Sequence, residues 1–163
     1  MTINVGVEDY QEHFGQPTHD DQRLFELLTV GVFQVGLSWR VAAGKLPVYR
    51  RDFAGMQIPQ VAALDEPDIE RISADPEMIR NPRKIRAVIQ NARAIRTIQE
   101  SGTTFADYMW GFVNLMPVIT DDSTLTHSRF ASLVAKQMKQ QGFTFVGPTV
   151  THMFMKAAGI IQS

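Results

Sequence analysis

A turn near the end of the sequence has the residue types that bind phosphate. A predicted helix ends at Gly142, residues 143–147 follow, and Pro148 begins the next helix. Glycines allow the backbone to come close to a ligand, and the free N–H groups at the start of a helix point toward an anion. Contacts of this kind position DNA without reading its sequence. An ordinary helical hairpin has the same pattern, so the turn alone leaves both interpretations open.

A second stretch, Val30 to Arg40, is almost free of polar chemistry. It contains the sequence Gly-Leu-Ser-Trp at residues 36–39, and no acidic residue lies between Glu26 and Asp52. The leucine and the tryptophan are either core residues at the start of a helix or groups held at a binding surface. The residue types alone do not decide between these two interpretations.

The chain offers few groups for covalent or metal chemistry. It has no cysteine, which excludes disulfides, thiolate catalysis and cysteine-ligated zinc. Its four histidines are scattered, and no two have the spacing of zinc ligands. We therefore expect no metal and no cofactor. No apolar run is long enough to cross a membrane, and the lack of cysteine fits the cytoplasm.

Charge is distributed unevenly along the sequence, although the net charge is only −1. Residues 78–99 contain six basic side chains and no acidic one, while residues 1–77 are predominantly acidic. An uneven distribution suggests a basic surface for a polyanion. The alternative is a solvated basic helix whose charges pair with acids elsewhere in the fold.

The elements that must position these residues are predicted to be helices, in one domain of 163 residues. The best-defined helix has Asn81 as its cap, Pro82 in its first position and an apolar stripe at the helical period. Another follows Asp20-Asp21, and one begins at Ser38 and is interrupted near Gly44. Further helices are predicted in IPQVAAL, EPDIERIS, TFADYMWGFV, SRFASLVAKQMKQQ and the segment from Pro148. The fold class is all-α.

Several stretches together resemble the DNA-3-methyladenine glycosylase I family, a branch of the helix–hairpin–helix glycosylases. In order they are PTHDDQRLFELL, FQVGLSW, MIRNPRKIRAVIQNARAI, WGFVN, GFTFVG and FMKAAG. The resemblance runs from about Asp9 to Ile161, with matching order and spacing. It implies an all-α fold with a helix–hairpin–helix motif at about residues 128–159.

The resemblance also implies a role for each of these stretches. These enzymes flip a damaged base out of duplex DNA and hydrolyse its glycosidic bond. Leu37 matches the wedge that fills the vacated space, beside Gly36. The implied base pocket consists of Trp39, Tyr10, Phe14, Gly31 and Gln34. The implied phosphate-binding residues are Gly142, Phe143, Thr144, Phe145, Val146, Gly147, Thr149 and Lys139.

The sequence departs from the family at the residue that reads the base. Eight residues before the tryptophan the family has a glutamate, whose carboxylate reads the amino edge of the flipped adenine. This chain has Gly31 there, which explains why the stretch has so little polar chemistry. Selectivity for 3-methyladenine is therefore in question.

The N-terminal segment and the zinc ligands also differ. The family has a pocket tyrosine followed by a zinc-binding histidine, and this chain has DYQEHFG. Without a gap Asp9 takes the place of the tyrosine, and with one gap Tyr10 does. In both alignments the histidine ligand is absent, as are the family's cysteine ligands.

These observations predict a monomeric glycosylase that acts on double-stranded DNA with a damaged base. It would release alkylated, 3-methyladenine-like purines, with no group identified as catalytic. The alternatives are a catalytically weak module that binds damaged or distorted DNA, and a hydrolase of another nucleoside-like ligand.

Overall fold

The computed structural model describes residues 4–114, 117–119 and 128–162, and the regular secondary structure of this part of the chain is almost entirely helical. Its α-helices are α1 (Val5–His13), α2 (Asp21–Gln34), α3 (Trp39–Gly44), α4 (Leu46–Asp52), α5 (Ile58–Ala62), α6 (Glu66–Ser73), α7 (Pro82–Glu100), α8 (Phe105–Trp110), α9 (Arg129–Gln140) and α10 (Pro148–Ala157). Two short strands, β1 (Val118–Ile119) and β2 (Ile161–Gln162), pair in parallel. The predicted all-α fold class is confirmed.

Side-chain caps begin the helices at the predicted places. Asp20 accepts a hydrogen bond from the N–H of Arg23 (2.8 Å) and so caps α2. Asn81 accepts from the N–H of Lys84 (3.2 Å), with Pro82 in the first turn of α7. Ser38 accepts from the N–H of Val41 (3.1 Å) and begins α3 directly after the Gly-Leu pair. These bonds satisfy N–H groups that have no partner within their own helix.

The core is organised around α2 and α7. Every residue of α2 from Leu24 to Phe33 is buried, and the helix packs against α3, α7, α8 and α10. Because the core holds α2 on all sides, its C-terminal end has a fixed place at the surface. The residues that follow it, 35–37, are exposed.

The first helix, α1, was not among the predicted elements. Its sequence begins Val-Gly-Val, which has low helix propensity. Gly6 lies against the last turn of α3, where an added Cβ would come within 2.5 Å of the carbonyl oxygen of Ala43. Asn4 caps this helix by accepting from the N–H of Val7 (3.1 Å), and close packing of the two backbones adds support that cannot be seen in local sequence.

Main-chain hydrogen bonds join the segment after α1 to the end of α10. The N–H of Gly15 donates to the carbonyl of Ala157 (2.9 Å), and that of Thr18 donates to the carbonyl of Ala158 (3.2 Å). Gly159 has a φ of +78°, and a Cβ on it would lie 2.5 Å from the nitrogen of Pro17. The two segments are thus in direct backbone contact.

This contact predicts a large loss of stability for Gly159→Ala. The substitution should lower the free energy of unfolding by about 2–4 kcal/mol, because it adds left-handed backbone strain to overpacking. Gly102→Ala is the matched control, since Gly102 has a φ of +100° but no atom within 4 Å of an added Cβ. Urea unfolding of both variants measures the difference. Equal losses would show that the contact with Pro17 adds nothing.

Candidate functional site

Two clefts meet at Met153 of α10, on the side of the molecule where α2 ends. The first, which we call the aromatic cleft, has a volume of about 430 Å³ and is lined by Tyr10, Gln11, Phe14, Trp39 and Met153. The second, the glycine cleft, has a volume of about 540 Å³. Its lining includes Gly31 and Gln34 of α2, the residues 35–37 and the start of α10.

Three rings form the aromatic cleft. The rings of Tyr10 and Trp39 are stacked, with centroids 5.9 Å apart, and the ring of Phe14 is tilted against Tyr10 at 5.5 Å. Trp39 is half-buried, and the guanidinium of Arg40 lies 5.2 Å from its ring centroid. Burial raises the pKa of Tyr10 to about 12, so its phenol is neutral at physiological pH. The residues that line the cleft are therefore uncharged and mostly aromatic, with the Arg40 cation beside them, and they suit a flat ligand.

The side chains of Asp9 and Tyr10 lie in different environments. The sequence left open which of the two faces the base pocket, and their positions in the fold differ in this respect. Asp9 accepts a hydrogen bond from Nη2 of Arg50 (2.6 Å) and pairs with Arg23. Burial would raise the pKa of Asp9, but the hydrogen bond from Arg50 and the two guanidinium charges outweigh it and hold that pKa below its usual value. Glu26 joins the same cluster through Nε of Arg50 (2.6 Å). Tyr10, and not Asp9, lines the aromatic cleft.

No acidic side chain lines either cleft in the described part of the chain. Gly31 is buried in α2, and a Cβ on it would lie 3.4 Å from Cγ1 of Val150, an ordinary contact. Gln34, one turn later, has a buried Oε1 without a hydrogen-bond partner. Gly31 thus contributes only backbone to the lining of the glycine cleft, beside Val150.

The glycine cleft ends in an exposed loop, residues 35–37, which we call the wedge loop. Gly36 has a φ of +76°, and the N–H of Leu37 donates to the carbonyl of Gln34 (2.8 Å). No atom lies within 4 Å of a Cβ added to Gly36, so glycine is needed here for the backbone angle. The side chains of Val35 and Leu37 are 45% and 41% exposed.

The turn between α9 and α10, residues 141–147, differs in part from the predicted phosphate site. The N–H groups of Gly142, Phe143 and Thr144 donate within the protein, to Lys139, Met138 and Asn91 respectively. The side chains of Phe143 and Val146 are buried. Those three N–H groups are therefore not available to a phosphate, because internal carbonyl and amide oxygens already accept from them.

The residues of the turn that remain suited to an anion lie at the start of α10. Gly147 caps α10 with no neighbour within 4 Å of an added Cβ, and Thr149 lies in the first turn. Phe145 adopts a left-handed φ of +58°, and Arg83 lies 5.8 Å from its ring centroid. Lys139 of α9 is exposed and lines a small cleft together with Pro148.

Most of the basic residues of segment 78–99 have structural partners. Arg86 pairs with Glu66 (2.9 Å), and Arg93 donates to the carbonyls of Ala62 and Leu64. Arg96 pairs with Glu100 (3.6 Å). Lys84 is buried as well. Four of the six basic side chains of this segment therefore have structural roles, and the uneven charge alone does not indicate a surface for a polyanion.

Sequence reasoning missed Met153, which joins the two clefts. A methionine on an apolar helix face looks like a core residue, so no local signal identifies it. Among the described residues, no group of three or more His, Asp or Glu side chains is arranged to hold a metal ion, and His127 lies outside them. None of the described helices is long and apolar enough to cross a membrane.

Comparison with known proteins agrees with this geometry. Residues 3–163 match the family model for methyladenine glycosylase. DNA-3-methyladenine glycosylase 1 of Escherichia coli is 36% identical over 157 residues, which are 94% of this chain and 84% of the relative. DNA-3-methyladenine glycosylase of Haemophilus influenzae is 29% identical over 163 residues, 98% of this chain and 88% of the relative.

Solved structures give the same assignment. 3-Methyladenine DNA glycosylase I from Staphylococcus aureus superimposes with a TM-score of 0.89 at 28% identity, over 96% of this chain and 86% of that one. A second crystal structure of 3-methyladenine DNA glycosylase I superimposes with a TM-score of 0.88 at 36% identity, over 94% of this chain and 87% of that one. In both fold and sequence, this chain belongs to the methyladenine glycosylase family.

Proposed function

We propose that the protein is a DNA glycosylase that releases alkylated purines from double-stranded DNA by base flipping. The observation that carries the proposal is an aromatic cleft, with Tyr10 and Trp39 in its wall, next to an exposed loop that carries Leu37. The relatives named above are glycosylases of 3-methyladenine. We further propose that the chain works as a single-domain monomer in the cytoplasm.

The reaction requires little acid–base chemistry from the protein. A purine alkylated at N3 or N7 is cationic within the nucleoside and leaves as a neutral base when its bond to C1′ breaks. Water adds to C1′ and loses a proton to solvent. Since the leaving group needs no protonation, extrusion and base binding can supply much of the rate without a carboxylate in the cleft.

Leu37 would occupy the space that the flipped base leaves, and Trp39 would stack on that base. Extrusion costs a few kcal/mol of base stacking, which an inserted apolar side chain partly restores. Stacking on an aromatic ring contributes about 1–3 kcal/mol per base. Gly31 leaves the base edge without a charged acceptor, so we expect both 3-methyladenine and 7-methylguanine to be released.

The start of α10 would hold a backbone phosphate, with Lys139 beside it. Lys139→Ala is expected to weaken binding to all DNA sequences alike and to lower the slope of log affinity against log salt by about one. Fluorescence anisotropy over a range of salt concentrations measures both effects. Arg96→Ala is the matched control, because the charge of Arg96 is paired with that of Glu100 in the same helix. An unchanged slope for Lys139→Ala would contradict its placement at a phosphate.

A second function, binding of damaged DNA without catalysis, is favoured by the lack of an acidic residue in either cleft. Incubation with methylated DNA, followed by chromatography of the free bases, distinguishes base excision from binding alone. A glycosylase releases several bases per protein molecule. A binding module retains the DNA and releases no more base than a reaction without protein.

A further inference from the structure

Lys84 is a buried lysine with no acidic partner among the described residues. It is 5% exposed and lies in the first turn of α7. Its Nζ donates to the carbonyl of Phe33 (3.0 Å) and also to the carbonyl of Val35. Burial lowers the pKa of Lys84, so this ammonium is held at a cost and is not simply a solvated surface charge.

The two acceptors are carbonyl groups at the end of α2. The last carbonyls of a helix have no partner within the helix and carry the negative end of its dipole. An ammonium there satisfies them and complements the dipole. The N–H of Lys84 also donates to Asn81, so the cap of α7 fixes the backbone from which the side chain extends.

These two hydrogen bonds anchor the start of the wedge loop to α7. They fall on either side of Gln34, directly before the left-handed turn at Gly36. The exposed side chains of Val35 and Leu37 provide little packing of their own to hold the loop. The direction in which Leu37 points therefore depends on the anchoring of the residues before it.

We propose that Lys84 is a positioning residue that holds the wedge loop in the orientation needed to push a paired base out of duplex DNA. The inference rests on the proposed function and deepens it. The ammonium of Lys84 would therefore hold the wedge loop and would not contact a DNA phosphate. Tyr10 and Trp39, which line the aromatic cleft, belong to α1 and α3 and make none of these bonds.

This separation of loop and cleft predicts a selective defect. Lys84→Met keeps an unbranched side chain, one atom shorter than lysine, and removes both hydrogen bonds. Release of 7-methylguanine from duplex DNA should fall about tenfold, which corresponds to about 1.4 kcal/mol of transition-state stabilisation. Release from single-stranded DNA should change less than about twofold, because no paired base has to be displaced.

Two further measurements report base extrusion and base binding separately. Fluorescence of 2-aminopurine placed beside the damaged base reports extrusion and should fall with Lys84→Met. Binding of free 3-methyladenine, measured by tryptophan fluorescence, should not change. Lys45→Met is the matched control, since Lys45 lies between α3 and α4 and its side chain makes no hydrogen bond or ion pair with the described residues.

Lys84→Arg should restore part of the duplex activity, because a guanidinium can also donate to two carbonyls. Lys84→Gln replaces the methionine variant if thermal unfolding shows that Lys84→Met is not folded. Equal losses on duplex and single-stranded DNA, or no loss on duplex DNA, would overturn the inference. If the unmodified protein releases no base from either DNA, the proposed function fails, and 2-aminopurine fluorescence alone then decides the role of Lys84.

Discussion

Trp39→Ala should reduce release of alkylated bases from duplex DNA by about 5- to 150-fold, since loss of base stacking removes about 1–3 kcal/mol. The loss lies toward the upper end for a cationic base, which is attracted to the face of an indole. Trp39 is half-buried against Tyr10, so the substitution also leaves space in the aromatic cleft. Single-turnover excision on methylated duplex DNA, with excess protein, measures the effect.

Trp39→Phe is the matched variant, because it keeps an aromatic ring in the same cleft. We expect it to retain more activity than Trp39→Ala and to lose less packing against Tyr10. Thermal unfolding of both variants shows how much of the lost activity comes from lower stability of the protein and how much from lost base stacking. If Trp39→Ala excises bases as fast as the unmodified protein, the assignment of the aromatic cleft as the base pocket is wrong.

Gly31→Glu should raise the preference for 3-methyladenine over 7-methylguanine by about tenfold or more, since a site built to accept a hydrogen bond rejects a base that lacks the donor. A carboxylate at this position would accept from the amino group of adenine, whereas guanine presents a carbonyl oxygen at that edge. A Cβ fits 3.4 Å from Val150, and the glycine cleft, which meets the aromatic cleft at Met153, has room for the rest of the side chain. Excision of both bases from one methylated DNA gives the ratio directly.

Gly31→Gln is the control for size, because it fills the same space without a charge. A carboxylate with no base bound is costly in a poorly solvated cleft, so Gly31→Glu should also be less stable than Gly31→Gln. If the unmodified protein already excises 3-methyladenine selectively, residue 31 is not the position that sets base selectivity. In that case another group, and not residue 31, would read the base.

The helices that carry the site could be predicted because their signals are local. Asp20 and Asn81 cap α2 and α7 as expected, and Pro148 begins α10. The helix α1 and the strands β1 and β2 could not be predicted. The first begins with residues of low helix propensity and depends in part on the backbone contact of Gly6 with α3, and each strand is only two residues long.

The site itself was predictable only in part. A one-residue gap decides whether Asp9 or Tyr10 faces Trp39, and only three-dimensional packing against Arg50 distinguishes the two. The charges of α7 were equally ambiguous, because a partner such as Glu66 comes from a different helix. Sequence shows which charges are present, while the fold determines which of them remain free for DNA.

The most direct test of the proposed activity is the release of free bases from methylated duplex DNA by the unmodified protein, followed over time by chromatography. We expect 3-methyladenine and 7-methylguanine both to accumulate well above the reaction without protein, with abasic sites formed in equal number. Binding of the methylated duplex with no base released, even with excess protein, would contradict this expectation. The cleft of Tyr10 and Trp39 would then recognise damage without removing it.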